Sequence, residues 1–400
     1  MSLERTLSMK NVKDRYPIVQ GGMGIGISLY ELAAADGREG GIGTISSACL
    51  DQLVPRRLGL NTQRMDMVEA TEIEVADTKR DGGVASINIM VAVFDSYENS
   101  VQGAVNGGVD VIISGAGLPK QLPAIVKKFT GTNDHDINLV PIVSSARAFE
   151  IICKIWKRHG YRPDAVVLEG PRAGGHLGWS YEQVKEAGNN FLETYDMFDA
   201  LLNPVLDVAN AYKNDSGPIP VIVAGGIYTH QDILYALSKG AAAVQMGTRF
   251  AATVESGASP EMKQAYVNSR AEDVALGDKN WGSPCGLPFR YLKMSPLAVK
   301  RRRLEETFEG DLPSDLCICT TLMSAIGVDN TKYLGKRQAE GGMPIGCPER
   351  YVIPTLFNEP CPATGKATTD YSSLFTCGTE VHRVDRIIPV AELMKELIHG

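Results

Sequence analysis

The segment IPVIVAGGIYTHQDILYALSKGAAAVQMGTRF, residues 219–250, contains two short apolar runs separated by one helical pattern. The runs IPVIVAGG (219–226) and AAVQMG (242–247) are apolar and contain valine, and each ends in glycine. Between them, residues 229–240 begin at a threonine suited to capping a helix, carry apolar residues at helical spacing and stop at a glycine. A strand, a helix and a second strand in this order are typical of a parallel sheet covered by helices.

The same alternation extends back toward the N-terminus. There are six earlier apolar runs, five of which end in glycine, serine or glutamine: YPIVQ (16–20), GTIS (43–46), VASINIMV (84–91), VDVIISG (109–115), LVPIVSS (139–145) and DAVVLEG (164–170). The helix after the first run is predicted to begin with Ser28 as its N-cap. Eight such units predict an α/β fold, a (β/α)8 TIM barrel, although an open sheet with two extra strands also fits the count.

Two stretches depart from this alternation. Residues 51–82 are long for one connection and predict a helical insertion between the second and third strands. From about residue 270 the sequence becomes charged, punctuated by proline and rich in cysteine. We therefore expect a barrel over residues 12–270 and a C-terminal extension over 271–400, whose final segment VDRIIPVAELMKELIHG (384–400) ends in an amphipathic helix that packs back on the barrel.

Composition and charge limit the functional classes. The 400 residues are 44% apolar, enough for a large core, and the formal net charge of −7 gives no attraction to nucleic acid or anionic lipid. Apolar runs fall short of the roughly 18 residues needed to cross a membrane, and the first ten residues lack the apolar centre of a signal peptide. These features predict a cytoplasmic protein. KRRR (300–303), beside acidic residues, is expected to be a solvated helix face, with docking of a phosphate or an acidic carrier protein as the alternative.

The eight cysteines suggest no disulfide framework, because they are few for this length and include no CxxC pair. Six of them lie in the last third of the chain: Cys285, Cys317, Cys319, Cys347, Cys361 and Cys377. Their spacings match no standard ligand set for zinc or an iron–sulfur cluster. We expect reduced thiols and no metal, while a thiolate-bound metal remains the alternative.

Glycines after the seventh and eighth strands suggest phosphate binding. In a parallel barrel, the catalytic loops follow the carboxyl ends of the strands. Gly225 and Gly226 follow strand seven, and Gly247 and Thr248 follow strand eight, where bare N–H groups and one hydroxyl could approach an anion. These glycines could also serve only to make tight turns.

The loop QGGMGIG (20–26) after the first strand could let a flat ring lie against the backbone. Met23 would contact the face of such a ring, and Gln20 or Asn88 could hydrogen-bond its heteroatoms. The loop lacks the GxGxxG register and the later acidic residue of a dinucleotide site, so we do not predict a Rossmann site.

The motif EGPRAGGHLG (169–178) contains the histidine most suited to catalysis. His176 follows the sixth strand in glycine-rich backbone, where a near-neutral imidazole could project into the barrel mouth and transfer protons. A hydrogen-bonded structural imidazole is the alternative. Glu169 could orient this loop through backbone amides or pair with Arg172.

Together these motifs resemble one family. PIVQGGMG, SINIMV, SGAGLP, EGPRAGGHLG, VIVAGGI and VQMGTRF, in this order over about residues 12–260, resemble the FMN-dependent nitronate monooxygenases (2-nitropropane dioxygenase-like) and the related flavin enoyl-ACP reductases. SPCGLPFR (283–290) is similar to an SPxGxPGR-type segment of the reductases, with Phe289 in place of the usual glycine. Arg172 stands where this family commonly has an acid.

The resemblance implies FMN as cofactor and a set of site residues. Gly22, Met23 and Gly24 would contact the isoalloxazine, Asn88 its polar edge, and His176 would be the catalytic acid or base near flavin N5. The cofactor-binding set it implies is Gly22, Met23, Gly24, Asn88, Ser145, Glu169, Gly174, Gly175, Gly225, Gly226, Gly247 and Thr248, with the last four at the phosphate.

Two reactions are compatible with the resemblance. In the first, a nitronate or nitroalkane is oxidised with O₂ to a carbonyl compound and nitrite. In the second, NAD(P)H reduces FMN, which reduces an enoyl thioester, with acyl carrier protein as a partner. The expected partners are thus a small-molecule substrate and, as a further possibility, a second copy of the chain in a homodimer; neither nucleic acid nor membrane is expected.

Overall fold

The computed structural model describes residues 2–277 except 61, 63 and 93, residues 287–299 except 297, residue 302, and residues 374–400. These residues form two compact units. The barrel unit comprises Met1–Arg172, Asn189–Gly257 and Ile388–Gly400, and the second unit comprises Ala173–Gly188 and Ala258–Ile387. The units therefore alternate along the chain, whereas the sequence suggested one boundary near residue 270.

The barrel unit contains the eight predicted strands. They are β1 (Ile18–Gln20), β2 (Thr44–Ser46), β3 (Ser86–Met90), β4 (Val111–Gly115), β5 (Asn138–Val143), β6 (Val166–Glu169), β8 (Val221–Ala224) and β9 (Ala243–Met246), with β7 belonging to the second unit. They run parallel in the order β1-β9-β8-β6-β5-β4-β3-β2. Ile42, just before β2, bridges Val19 of β1, and this contact brings the two sheet edges together. The sheet is thus a (β/α)8 barrel.

Alternation along the strands sorts the core into an inner and an outer layer. In β4, Val111 and Ile113 belong to the cluster inside the barrel, whereas Ile112 belongs to the cluster between the sheet and the helices. Successive side chains of a strand point to opposite faces, and both faces here are covered, so the strands read as continuous apolar runs. The N-terminal residues Leu7 and Met9 join the inner cluster.

The helices of the barrel unit follow the predicted pattern. They are α1 (Tyr30–Arg38), α2 (Leu50–Arg57), α3 (Met67–Gly82), α4 (Phe94–Asn106), α5 (Leu122–Thr130), α6 (Ala146–Arg158), α8 (Phe191–Thr194), α9 (Asn203–Ala211), α10 (His230–Ser238), α11 (Thr248–Ala251) and a C-terminal helix, α13 (Val390–His399). The helical insertion predicted over 51–82 corresponds to α2 and α3. Thr229 caps α10 as predicted, in a reciprocal capping box with Asp232.

The prediction that Ser28 caps α1 is wrong. Leu29 occupies the N-cap position and makes no side-chain cap. Ser28 is instead fully buried, and its hydroxyl accepts the N–H of Met23 and the side-chain N–H of Gln20. The hydroxyl is used to order the loop after β1 because that loop needs polar partners in a buried position.

The C-terminal helix α13 packs on α1, α10 and α11 of the barrel unit. His230 of α10 is hydrogen-bonded through Nδ1 to the Leu397 carbonyl at 2.8 Å. The Leu3 N–H donates to the Ile398 carbonyl at 2.9 Å. Five apolar side chains of the helix are buried: Val390, Leu393, Met394, Leu397 and Ile398. The predicted amphipathic helix therefore exists and packs on the barrel through its apolar face.

The second unit is built on a small antiparallel sheet of β7 (Gly175–His176), β10 (Val274–Gly277) and β11 (Phe289–Leu292), with β11 in the centre. It also contains α7 (Tyr181–Ala187) and α12 (Pro260–Val267). Thr376 bridges Tyr291 of β11 and accepts the hydroxyl of Tyr266 from α12.

Several sequence features lie outside the described residues. They include residues 283–286 of SPCGLPFR, most of KRRR and five of the six late cysteines. The sixth, Cys377, is a buried free thiol, and burial raises its pKa to about 12, which favours the protonated form. Of the helices that the structure describes, none combines the length and apolarity needed to span a bilayer.

Candidate active site

The loops that carry the predicted cofactor residues are neighbours because of the strand order. β9 lies between β1 and β8, so the loops after these three strands adjoin at the carboxyl end of the barrel. The Gly21 N–H, directly after β1, donates to the Met246 carbonyl at the end of β9 at 2.9 Å. The glycine-rich first loop is thus fixed to the strand that precedes Gly247.

The sequence predicted that the side-chain amide of Gln20 or Asn88 contacts a flat ring, and the structure distinguishes the two. The Gln20 side chain is fully buried; its N–H groups donate to Gly21 and Ser28, and its oxygen accepts the Thr44 N–H at 2.9 Å. Gln20 therefore has an internal structural role. Asn88, half-buried in β3, has no hydrogen bond from its amide to any described group.

Gly22 is a glycine because the chain passes directly against Asn88. A Cβ at this position would lie 2.5 Å from the Asn88 Cβ and 3.1 Å from the Ile45 carbonyl oxygen. Gly24 is less crowded, with the Ser46 hydroxyl 3.2 Å from its hypothetical Cβ. The structure therefore brings Gly22 and Gly24 onto β2 and β3, beside the one predicted amide that is free of internal hydrogen bonds among the described residues.

Met23 links the first loop to the predicted phosphate loops. Its sulfur lies 3.5 Å from where a Cβ on Gly247 would stand. Gly247 is the N-cap of the short helix α11, which begins at Thr248. An apolar thioether thus borders the loop after β9, where it could contact a ring whose phosphate is held nearby.

The loop after β8 has the backbone expected of an anion cradle. Gly225 and Gly226 have φ of +101° and +82°, a region that only glycine enters without strain. Within the described part of the chain, no acceptor is hydrogen-bonded to the N–H groups of Gly225, Gly226 or Gly247. Further along the same loop, after Ile227, the N–H groups of Tyr228 and Thr229 are bonded to the Asp232 carboxylate.

Arg172 lies against this cradle. A Cβ on Gly226 would be 2.8 Å from the Arg172 Cδ and 3.1 Å from its Cβ, so the aliphatic stem of the arginine covers the glycine. Both residues belong to the barrel unit.

Gln245 is a site residue that the sequence reasoning missed. It occupies β9, opposite Val19 of β1, and its side chain lies beside Gly21. Its buried Oε1 has no hydrogen-bond partner among the described residues. A buried acceptor of this kind is costly unless a ligand or water satisfies it. The only available signal was a polar residue in the otherwise apolar run AAVQMG.

Two other predicted cofactor residues have assigned places. Ser145 caps α6, and its hydroxyl accepts the Ala148 N–H at 3.3 Å, which accounts for this residue without a cofactor. Glu169 ends β6, half-buried, in register with Ala224 of β8. That Glu169 orients the loop through backbone amides or pairs with Arg172 stays a prediction.

His176, Gly174 and Gly175 belong to the second unit. His176 pairs in register with Phe289, and the two rings meet edge to face with centroids 5.0 Å apart. Gly174 passes directly against residue 377, since a Cβ on it would lie 2.5 Å from the Cys377 carbonyl carbon. Arg290, almost fully buried, donates to the Ala173 carbonyl and so holds the start of this loop.

The barrel unit therefore fits a phosphorylated, flat cofactor. It offers a cradle of unbonded N–H groups, an available amide at Asn88, an orphaned acceptor at Gln245 and a thioether between them. Within the described ranges, no group of three or more His, Cys, Asp or Glu side chains comes together as a potential metal site.

Comparison with known proteins gives a consistent result. The nitronate monooxygenase family profile matches residues 5–287, more than half of the chain. A probable nitronate monooxygenase of Staphylococcus haemolyticus is 26% identical over 283 residues, covering 66% of this chain and 72% of the relative.

Two solved structures share the fold. FabK from Thermotoga maritima has a TM-score of 0.60 at 23% identity, covering 95% of this chain and 91% of that one. A nitroalkane oxidase from Streptomyces ansochromogenes also has a TM-score of 0.60, at 20% identity, with coverages of 95% and 94%. The family and fold indicate an oxidoreductase, and the chain belongs to the nitronate monooxygenase family.

Proposed function

We propose that this protein is an FMN-dependent oxidoreductase that oxidises nitronates or nitroalkanes with O₂ to a carbonyl compound and nitrite. The observation that carries the proposal is the convergence of the loops after β1, β8 and β9, with Met23 beside Gly247 and unbonded N–H groups at Gly225 and Gly226. Membership of the nitronate monooxygenase family supports this choice of reaction.

The residues divide into phosphate-binding and ring-binding groups. The N–H groups of Gly225, Gly226 and Gly247 and the Thr248 hydroxyl would hold the phosphate. Met23 would contact the ring face, while the Asn88 amide and Gln245 Oε1 would hydrogen-bond its polar edge. When bound, FMN supplies the electron-accepting chemistry that no side chain provides.

His176 is the residue that we assign to proton transfer. For a neutral nitroalkane, it would take the proton from the carbon next to the nitro group; for a nitronate, which has already lost that proton, it would hold the nitro oxygens. Phe289 limits the orientations of the imidazole, because its ring meets the imidazole edge to face.

Reduction of an enoyl thioester is the second candidate function. The motif SGAGLP resembles the reductase side of the family, and in this structure Ala116 and Gly117 of the motif have positive φ. In this reaction NAD(P)H would be the electron donor, the acyl group would be presented by acyl carrier protein, and His176 would help to protonate the α-carbon.

The two functions are separated by anaerobic stopped-flow spectroscopy of the purified protein reconstituted with FMN. Propyl-2-nitronate should bleach the flavin absorbance rapidly, and admission of O₂ should restore it with release of nitrite. Rapid bleaching by NADPH, with none by the nitronate, would instead assign the reductase reaction. A protein that binds no FMN would contradict both assignments.

A further inference from the structure

The position of Arg172 suggests a function beyond packing. Its stem lies along Gly226, with Cδ 2.8 Å and Cγ 3.5 Å from the place where a Cβ would stand. The guanidinium begins at the atom bonded to that Cδ. The half-buried stem therefore places a permanent positive charge next to the cradle formed by Gly225 and Gly226.

A second arginine near these loops, Arg249, has other partners. Arg249, in α11, donates to the Tyr228 carbonyl at 3.1 Å and to the Glu396 carboxylate at 2.6 Å, and its guanidinium lies over the Tyr228 ring. Its guanidinium thus joins α11 to Glu396 of α13.

The cradle also contains a carboxylate close to where an anion would bind. Asp232 accepts the N–H groups of Tyr228 and Thr229, at 3.0 and 2.7 Å, two and three residues after Gly226. A phosphate bound at Gly225 and Gly226 would be repelled by this carboxylate. A cation beside the glycines would offset that repulsion, and the Arg172 stem lies against Gly226.

We propose that Arg172 is a specificity residue that binds the phosphate of the flavin, so that the site selects FMN over the unphosphorylated riboflavin. This inference rests on the proposed FMN dependence. The guanidinium can donate two parallel hydrogen bonds to phosphate oxygens and adds a full positive charge, which the neutral glycine N–H groups lack.

The test is equilibrium binding of FMN and of riboflavin to the apoprotein, followed by flavin fluorescence, for the wild type, Arg172→Ala, Arg172→Lys and Arg172→Glu. We expect Arg172→Ala to weaken FMN binding by about tenfold to hundredfold and to leave riboflavin binding unchanged. Arg172→Lys should lie between the wild type and Arg172→Ala, and Arg172→Glu should weaken FMN binding further. Raising the salt concentration should narrow the difference between wild type and Arg172→Ala for FMN.

Arg158→Ala is the matched control, since it removes the same charge from an exposed position at the C-terminal end of α6. It should leave both affinities unchanged. Equal weakening of FMN and riboflavin by Arg172→Ala would overturn the proposal and indicate a structural ion pair, for example with Glu169. Unchanged FMN binding by Arg172→Ala would also overturn it, whereas a wild type that binds neither flavin would refute the proposed function itself.

Discussion

The imidazole of His176 meets the phenyl ring of Phe289 edge to face, with centroids 5.0 Å apart and an interplanar angle of 76°. The contact is built by the sheet of the second unit, in which these two residues are paired in register. Phe289 also stacks on Tyr291, two residues along the same strand. The histidine proposed for proton transfer is therefore held by an aromatic side chain from a distant part of the sequence.

Phe289→Leu should allow the His176 imidazole more orientations while β11 stays intact. Edge-to-face pairs contribute about 0.5–1.5 kcal/mol, so we expect kcat/KM for a nitroalkane to fall by about threefold to tenfold. The ring-current shift of the His176 carbon-bound protons, measured by NMR on histidine-labelled protein, should disappear. Tyr291→Leu, which keeps the His176–Phe289 pair, is the control. Unchanged His176 shifts in Phe289→Leu would show that the pair is absent in solution.

His176→Gln should separate the two forms of the substrate. A neutral nitroalkane needs a base to remove its proton, so we expect kcat/KM to fall by about 100-fold to 10,000-fold. A preformed nitronate has no proton to lose at that carbon and should be affected much less. Steady-state assays with nitroethane and ethylnitronate check this, with flavin content as the control for folding. Equal losses with both substrates would exclude a role as base and leave only binding of the nitro oxygens.

Gly22→Ala should lower both flavin affinity and stability. The new methyl group would be placed 2.5 Å from the Asn88 Cβ and would push the Asn88 amide from its position. We expect a loss of about 1–3 kcal/mol in unfolding free energy from overpacking and a more than tenfold weaker affinity for FMN.

Gly131→Ala is the control for Gly22→Ala, because Gly131 has a φ of +78° and open space around it. It should cost some stability through backbone strain and leave FMN affinity intact. Visible absorbance after dialysis and urea unfolding give the two quantities. Full retention of FMN by Gly22→Ala would remove the first loop from the cofactor site.

Asp36→Asn should change how stability depends on pH. Asp36, in α1, is fully buried, and burial raises its pKa to about 8 in spite of the nearby Arg15 guanidinium. Between about pH 4 and about pH 8 the native state keeps a proton that the unfolded state releases, so rising pH destabilises the wild type. Each pH unit costs up to about 1.4 kcal/mol in this window.

Asparagine at position 36 cannot ionise, so stability of the variant should fall less steeply with pH. Urea unfolding of both proteins at several pH values from about 5 to about 7.5 measures the difference. The wild type should lose stability relative to Asp36→Asn throughout that range. Parallel stability curves for the two proteins would mean that Asp36 is ionised in the native state.

Glu396→Gln should weaken the attachment of α13 to the barrel unit. Glu396 pairs with Arg249 at 2.6 Å, and Arg249 also donates to the Tyr228 carbonyl. The pair is partly exposed, so we expect a loss of only about 0.5–1.5 kcal/mol in the free energy of unfolding. Lys395→Ala, an exposed neighbour on the same helix, should change stability by less than about 0.5 kcal/mol. Thermal unfolding of the two variants compares these effects, and equal midpoints would show that the pair contributes nothing.

The sequence predicted the barrel well because its signals are local and repeated. The strands are short apolar runs, most of which end at a turn residue, and the helices have apolar residues at helical spacing. The glycines at 22, 225, 226 and 247 were also readable, since glycine has few substitutes where backbone must approach closely or adopt positive φ. The strand order then follows from barrel closure, which makes the first and last strands neighbours.

The side-chain roles were less predictable, because burial and hydrogen-bond partners are set by tertiary packing. Gln20 and Asn88 looked equivalent in sequence, yet Gln20 is used internally while Asn88 has no such bond among the described residues. Ser28 was expected to cap a helix and instead orders the loop after β1. Ser145, predicted to bind the cofactor, also caps α6, and the sequence window did not indicate that cap. Each choice depends on which groups lie nearby in space, and short sequence windows do not contain that information.

The sequence by itself determined the order of strands and helices, the glycine-lined ends of three strands and the family motifs, since these depend on backbone geometry within a few residues. Only the tertiary structure decided that Arg172 lies on Gly226, that Phe289 meets His176 and that α13 is tied to Arg249. These contacts join residues far apart in the chain, and they form because burial of apolar surface brings their strands and helices together. The charge and orientation of side chains at the proposed site are therefore consequences of packing.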